Sequence, residues 1–414
     1  MAIQKVLGKV LENIKPDKQE SKKALSTVKS FLKALNDNLK SKKISAKAVL
    51  GGSFAKDVWL SGDYDVDIFV KFSMKHKDDD LSDLLEKALK PSNPERVHGS
   101  RDYFWVKKNN IKFEIVPVLA ISRSEQAQNV TDFSPLHVAW ANEHGAGLKD
   151  DIRLLKQFCK ANGVYGAESF INGFSGHVVD ILVIHFNGFL NFLKAASTWK
   201  TSKKIIVDHY NKYKGKTLLF LNKSKTEGPL VVIDPVQPER NAAAALSLEK
   251  LNVFLKAAKA FLKKPSIDFF TVKSVDIDDL KSKDYLVLRA KPVKARDDVA
   301  GCKLLQIFDF LKYEFDKEEF VVEDCGWFWD KEDPAIFWFK LKNKKLPEMA
   351  EHKGPPLSLK DAVKAFKAKY AKTFTKNKNI WAKIKRKHLT PEALLKDLLK
   401  SEHIKEKTVN IKLL

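Results

Sequence analysis

The sequence predicts a multidomain α+β protein, and three observations lead there. Its 414 residues are enough for roughly two to four domains at ~100–200 residues each. Hydrophobic residues make up 44% and charged residues 31%, enough apolar mass for real cores. Strand-like and helix-like periodicities interleave up to about Leu148 and again in the last third, whereas Lys149–Leu262 reads as mainly helical. No repeat of ~20–50 residues and no low-complexity tract is visible.

Membrane and secretory classes are not expected. No run of ~18 uncharged residues occurs, and the most apolar stretch, Val178–Leu193, is broken by Asp180, His185 and Asn187. The N-terminal pattern is amphipathic and carries Lys and Glu, without the apolar block of a signal peptide. Cys159, Cys302 and Cys325 have no CxxC spacing, which excludes a cysteine-built zinc cluster or disulfide framework and suits a reducing cytoplasm.

In order along the chain, Ser21–Lys42 reads as a helix with Ala24, Val28, Phe31, Leu32 and Leu35 on one stripe. A strand follows at Ile44–Leu50, then Gly51-Gly52-Ser53, a short helix, and a strand at Tyr64–Phe72. Asp78–Lys90 is helical and Pro91–Pro94 a turn. Tyr103–Lys107 and Ile111–Val116 form a hairpin around Lys108-Asn109-Asn110. Lys149–Ala161 is a helix ending at Asn162-Gly163. Ser175–Ala196 reads as one long buried helix, Leu230–Ile233 as a strand, and Ala242–Leu262 as a helix. Strands are expected at Tyr285–Ala290, around Gly326–Trp329 and at Ala335–Leu341, and helices at Leu304–Phe315 and Leu359–Tyr370. Two short halves of one domain, split by an insertion, fit this last third.

Charge supplies the first functional clue. Lys+Arg 75 against Asp+Glu 52 gives +23, and a polyanion partner is the simplest reason for that excess; a general lysine bias is the alternative. Only 8 of the 75 bases are arginine, so each planar guanidinium fork merits inspection.

The segment Gly51–Phe72, GGSFAKDVWLSGDYDVDIFVKF, concentrates chemistry. Two glycines allow close backbone approach to a phosphate, and Ser53 is placed to cap the next helix and offer its hydroxyl. Asp65 and Asp67 lie two apart on a strand, so both face one side, with Cα atoms roughly 6–7 Å apart, while Val66, Ile68 and Val70 face the core. Paired carboxylates seat hard divalent cations. In Ile111–Pro117, Glu114 is the one acid opposite an apolar face and completes a set of three. Ser134-Pro135 reads as N-cap and first helical residue, which puts His137 in a first turn. Lys149, Arg153, Lys156 and Lys160 recur as one basic stripe, whose plain reading is a solvated face.

These residues resemble the signature of DNA polymerase β-type nucleotidyltransferases, and more narrowly the archaeal, class I CCA-adding enzymes. Thr131–Trp140, Arg153–Glu168, Gly173–Val183 and Asp234–Ser247 are similar to further blocks of that family, in order, covering roughly Leu50–Phe270. The resemblance implies a catalytic head (1–148), a helical neck for nucleotide selection (149–259), an α/β body (260–300 and 389–414) and a tRNA-binding tail (301–388). It implies addition of C, C and A to a tRNA 3′ end from CTP and ATP, with Mg²⁺ and no nucleic-acid template. On this reading Asp65, Asp67 and Glu114 are the catalytic metal-binding acids. Ser53, Ser134, His137, Lys156 and Tyr165 match triphosphate contacts, and Arg240 matches the arginine that reads the base. The expected partners are tRNA and nucleotides, without a membrane, and a homodimer is left open.

The chain departs from the common pattern at several places. Asp65 and Glu114 exchange the usual Glu and Asp; Asn172, Asp180, Gln237 and Ala245 also differ. A poly(A) polymerase or an oligoadenylate synthase shares the Gly-Ser and D-x-D parts. A non-catalytic basic RNA-binding protein would use only the charge. Past Lys256 the reading rests on composition: aromatic strands at Gly326–Trp329 and Phe337–Phe339, and basic residues Lys364, Lys367, Lys369, Lys372 and Lys383–His388.

Overall fold

The computed structural model describes residues 2–331 and 334–414, in two compact units divided after Lys273. The first unit begins with α1 (Ala2–Ile14), α2 (Lys18–Ser41), the single turn α3 (Gly52–Ala55) and α4 (Leu81–Leu89). Five strands, β1 (Ala46–Leu50), β2 (Asp65–Phe72), β3 (Glu95–Val97), β4 (Tyr103–Lys108) and β5 (Ile111–Leu119), make one sheet in the order β1-β2-β5-β4-β3. β4 and β5 are joined at Asn109 and Asn110, both at positive φ, as a two-residue turn between twisted strands requires. β2 and β5 run parallel.

Period-two alternation assigns the two faces of this sheet. Val66, Ile68, Val70, Phe113 and Ile115 are fully buried against α2 and α4, whose apolar stripes close one layer. The acids occupy the other face. The stripe of Leu7, Val10 and Ile14 on α1 packs with Val58 and Leu60 of the head into the core of the helical segment that follows.

That core contains α5 (Ser134–His144), α6 (Lys149–Ala161), α7 (Gly176–His185), α8 (Phe189–Ser197) and, beyond the largely exposed single turn α9 (Thr217–Phe220), α10 (Leu248–Lys263). A small parallel pair, β6 (Ile205–Val207) and β7 (Leu230–Val232), lies beside them. The long helix expected over Ser175–Ala196 is two helices bent by 89°. Asn187 and Gly188 take φ of 52° and 119°, the latter open to glycine alone, and Asp151 accepts the freed N–H of Phe189 at 2.8 Å. The helix expected from Ala242 starts only at Leu248, capped by Ser247. Asn241 explains the delay: its side chain bonds the N–H groups of Val232 and Ala243 and holds the alanines in turns. No single helix among the described residues is long and apolar enough to cross a membrane.

The second unit carries α11 (Ile277–Ser282), β8 (Leu286–Pro292), α12 (Asp297–Lys317), β9 (Val322–Phe328), β10 (Ala335–Leu341), β11 (Met349–Pro356), α13 (Lys360–Lys369), β12 (Thr373–Lys376), β13 (Asn379–Lys385), α14 (Pro391–Leu398), α15 (Glu402–Lys405) and β14 (Thr408–Leu413). An antiparallel sheet β14-β8-β10-β9 packs one face on α12, with Phe337 and Phe339 in the core. Trp338 points the other way and lies across Gly326. α12, β9 and β10 therefore share a core and sheet with β8 and β14, although the sequence reading assigned residues 301–341 to the tail. The separate sheet β11-β13-β12, with α13 against it, is the insertion between the two halves.

Candidate active site

Parallel pairing of β2 with β5 sets Asp67 directly across from Glu114, and Asp65 across from Lys112. Asp65, at the start of its strand, is exposed; Asp67 and Glu114 are half-buried. The sheet order, not the sequence spacing, makes neighbours of residues 47 positions apart. Gly51 donates its N–H to the Asp67 carbonyl at 2.8 Å. A Cβ on Gly52 would lie 1.6 Å from Asp67 Oδ2, so only glycine lets the turn press onto that carboxylate. On the far side Trp105 Nε1 donates to Glu114 Oε2 at 3.2 Å, and Lys112 lies 3.9 Å above the Trp105 ring. Burial, then the neighbouring Glu114 charge, pushes the Asp67 carboxyl up to about 7, and Lys56 opposes this. A carboxyl so poised favours a proton or a cation as its companion. Three oxygen donors of this kind fit a hard divalent ion.

Lys156 is buried, and its ammonium bonds Asp63 Oδ2 at 3.1 Å; Lys160 reaches the same oxygen at 2.9 Å. Burial works against ionising Asp63, but the two lysines outweigh it and hold the carboxyl at about 2. Both ammoniums stand 5.8 Å from the centre of the Tyr165 ring. Burial, with Asp180 and Asp63 nearby, keeps the Tyr165 phenol far above its usual range, hence protonated and able to donate a hydrogen bond at neutral pH. Lys56 pairs with buried Asp180 of α7.

The basic stripe on α6 is not a solvated face. Arg153 is buried and donates to the carbonyls of Trp59 and Asp57, to Asp57 Oδ1 and to Asp150 Oδ1; Lys149 reaches Asp57 Oδ2. The stripe seats α6 on the loop that follows α3.

His137 (α5), His177 (α7) and Arg240 converge on fully buried Asp234. Its Oδ2 lies 3.1 Å from His137 Nε2, 3.3 Å from His177 Nε2 and 3.0 Å from an Arg240 terminal nitrogen. Neither histidine is aligned for a straight hydrogen bond. The imidazole rings lie 4.1 Å apart. Burial lowers His137 below its ordinary value. Burial would raise Asp234, but the two imidazoles outweigh it and hold that carboxyl well below the usual range. Arg240 is half-exposed and spends one nitrogen on Asp234, leaving most of its fork free of that bond.

Two capping roles expected from sequence differ. Gly51, not Ser53, is the N-cap of α3, and Ser53 sits inside the turn. A 3-10 turn at Val130–Phe133, capped by Asn129, precedes α5, so the Ser134 N–H already bonds Thr131 O. Ser134 does not cap, and the free donors expected in the first turn around His137 are partly used. Asp63, Lys56 and His177 escaped the sequence reading. Asp63 sits two residues before Asp65 and Lys56 one turn after Gly52, so their proximity was readable; His177 was not.

Comparisons with known proteins agree along the chain. Residues 1–137 match the model of the second messenger oligonucleotide or dinucleotide synthetase domain. Residues 150–271 match tRNA nucleotidyltransferase, second domain, and 286–411 match CCA-adding enzyme, C-terminal domain. The chain is 30% identical to the CCA-adding enzyme of Methanocaldococcus jannaschii, covering 96% of this chain and 91% of that one. For that of Methanosarcina acetivorans the figures are 31%, 87% and 80%, and for that of Sulfurisphaera tokodaii 32%, 94% and 90%. Among solved structures a cytoplasmic RNA terminal U-transferase aligns with TM-score 0.50 at 14% identity, over 66% of this chain and 99% of that one, a likeness of fold.

Proposed function

The chain belongs to the family of CCA-adding enzymes, tRNA nucleotidyltransferases, and from that premise we propose how its residues divide the work. Asp65, Asp67 and Glu114 hold Mg²⁺ on the open face of the head sheet. The observation that carries this is the β2–β5 register, which sets Asp67 against Glu114 with Asp65 two residues along the same face. When bound, Mg²⁺ neutralises triphosphate charge and stabilises the attacking and leaving oxygens. The tRNA 3′-hydroxyl gives up its proton to a neighbouring carboxylate or water as its oxygen attacks the α-phosphorus of CTP or ATP, the bond to the bridging oxygen breaks, and pyrophosphate leaves with the electron pair.

Lys156 and the Tyr165 hydroxyl bind the triphosphate, helped by Ser53, Ser134 and His137. Asp63 holds Lys156 in place before nucleotide arrives. Arg240, anchored by Asp234, presents its remaining guanidinium nitrogens to acceptors of cytosine and adenine, which a planar fork serves better than a point charge. The second unit holds tRNA through phosphate contacts: Lys364, Lys367, Lys369, Lys372, Lys383 and Lys385 are all exposed on α13, β13 and the segment between. The head alone is common to several nucleotide polymerisers; the matched segments after residue 150 favour tRNA.

The test is nucleotide addition to tRNA ending before CCA, after C, and after CC, with each of the four labelled nucleotides. Addition of C, C and A, then arrest, is expected. Long homopolymer tails, or oligonucleotide synthesis without tRNA, would overturn the reading.

A further inference from the structure

His137 of α5, His177 of α7 and Asp234 of the loop after β7 place two imidazole nitrogens and a carboxylate oxygen within 4.8 Å of one another, the one such trio among the described residues. We propose that these three side chains form a second metal site, distinct from the acids of the head sheet, which takes one tetrahedral transition-metal ion of the Zn²⁺ class. Distances carry the geometry. With bonds of ~2.0–2.1 Å, neighbouring ligand atoms of a tetrahedron stand ~3.3 Å apart. The two Nε2–Oδ2 separations are 3.1 and 3.3 Å. Both Nε2 atoms are buried and stand at ion-pair distance from the same oxygen, so two imidazoles crowd one carboxylate oxygen outside the alignment of straight donated bonds.

The Asp234 carboxylate is held as a ligand must be. Its Oδ1 accepts the N–H groups of Val236 and Gln237 at 3.0 and 3.2 Å, which orients Oδ2 towards the histidines. Arg240 takes one lone-pair direction of Oδ2, and a carboxylate oxygen has a second. Two imidazoles and one carboxylate select Zn²⁺ or its neighbours over Mg²⁺, which demands oxygen ligands in octahedral array. Three protein ligands leave a fourth position open. Because His137 is also the proposed triphosphate contact, an ion on its Nε2 takes that nitrogen away from the nucleotide. Zn²⁺ therefore raises the KM for CTP and ATP; this consequence alone rests on the triphosphate reading.

The probe is Co²⁺ added to the full-length chain in excess Mg²⁺, read by visible absorption, with Zn²⁺ as competitor. One equivalent of four-coordinate intensity, displaced by Zn²⁺, is expected. His177→Gln should weaken binding by at least ~100-fold, since outer partners of a ligand alone cost 10–100-fold. His177→Tyr, which keeps a ring in the half-buried space, serves if the first variant folds poorly. Asp65→Ala should leave the signal intact. Absence of four-coordinate absorption in the native chain, or its persistence in both folded His177 variants, overturns the proposal. Binding with an unchanged KM for nucleotide would keep the site and remove His137 from the triphosphate.

Discussion

Acidification through neutrality should weaken the acid site's hold on a divalent ion. The Asp67 carboxyl is raised from 3.8 to about 7, first by burial and then by Glu114. A hard cation binds the carboxylate and must displace the proton. Below pH 7 the apparent affinity should therefore fall ~10-fold per pH unit, or ~1.4 kcal/mol each, and roughly 100-fold between pH 8 and 5. An aspartate of ordinary acidity would be nearly level over that range. The assay is Mn²⁺ binding by electron paramagnetic resonance on the full chain, in a His177→Gln background so that the imidazole pair does not contribute. The stability of the metal-free protein responds with the opposite sign. Its native state binds this proton more tightly than the unfolded chain, so the stability contributed is complete below about pH 4 and is lost as pH rises through about 7. The ceiling is ~4 kcal/mol for roughly three pH units. Asp67→Asn should remove both slopes. A level Mn²⁺ profile between pH 5 and 8 would refute the argument that burial and Glu114 hold the proton on Asp67.

Four further outcomes are expected. Asp65→Ala or Asp67→Ala should abolish incorporation of C and A alike while tRNA binding, followed by filter retention, is largely kept; loss of one nucleotide only would contradict the shared site. Arg240→Lys should retain turnover but admit UTP and GTP more readily in competition assays, because a point charge lacks the planar fork. Lys56→Met should lower stability by ~3–5 kcal/mol in chemical denaturation, since it strands the buried Asp180 carboxylate without its partner. A chain ending at Lys273, once circular dichroism shows it folded, should bind tRNA more weakly and with a shallower salt slope than the full chain. An equal slope would mean that the phosphate contacts lie in the first unit.

Much of the head was legible because its code is local. A period of two decides which side Asp65, Asp67 and Glu114 face, and the apolar partners at Val66, Ile68, Phe113 and Ile115 leave no other register with a buried core. The breaks in the helical segment were not legible by periodicity. The polar interruptions in Val178–Leu193 do not by themselves mark a helix end, and the bend depends on Asn187 and Gly188 adopting positive φ while Asp151, distant in sequence, receives the N–H of Phe189. Likewise the alanines after Arg240 favour helix by propensity, and Asn241 overrides them with side-chain bonds to the backbone.

Composition, alternation and motif order thus determined the class of chemistry: carboxylates on one strand face, a glycine turn beside them and a large positive charge. Tertiary structure alone decided which residues share an environment. Parallel pairing made neighbours of Asp67 and Glu114, docking of α6 converted an apparent solvated stripe into buried contacts for Arg153 and Lys156, and three elements gathered His137, His177 and Asp234 around one oxygen. The physical reason lies in range. Side-chain direction along a strand or helix is set by bond geometry within a few residues. Burial, charge pairing and ligand convergence depend on chain segments far apart in sequence, and only the closed fold brings these together.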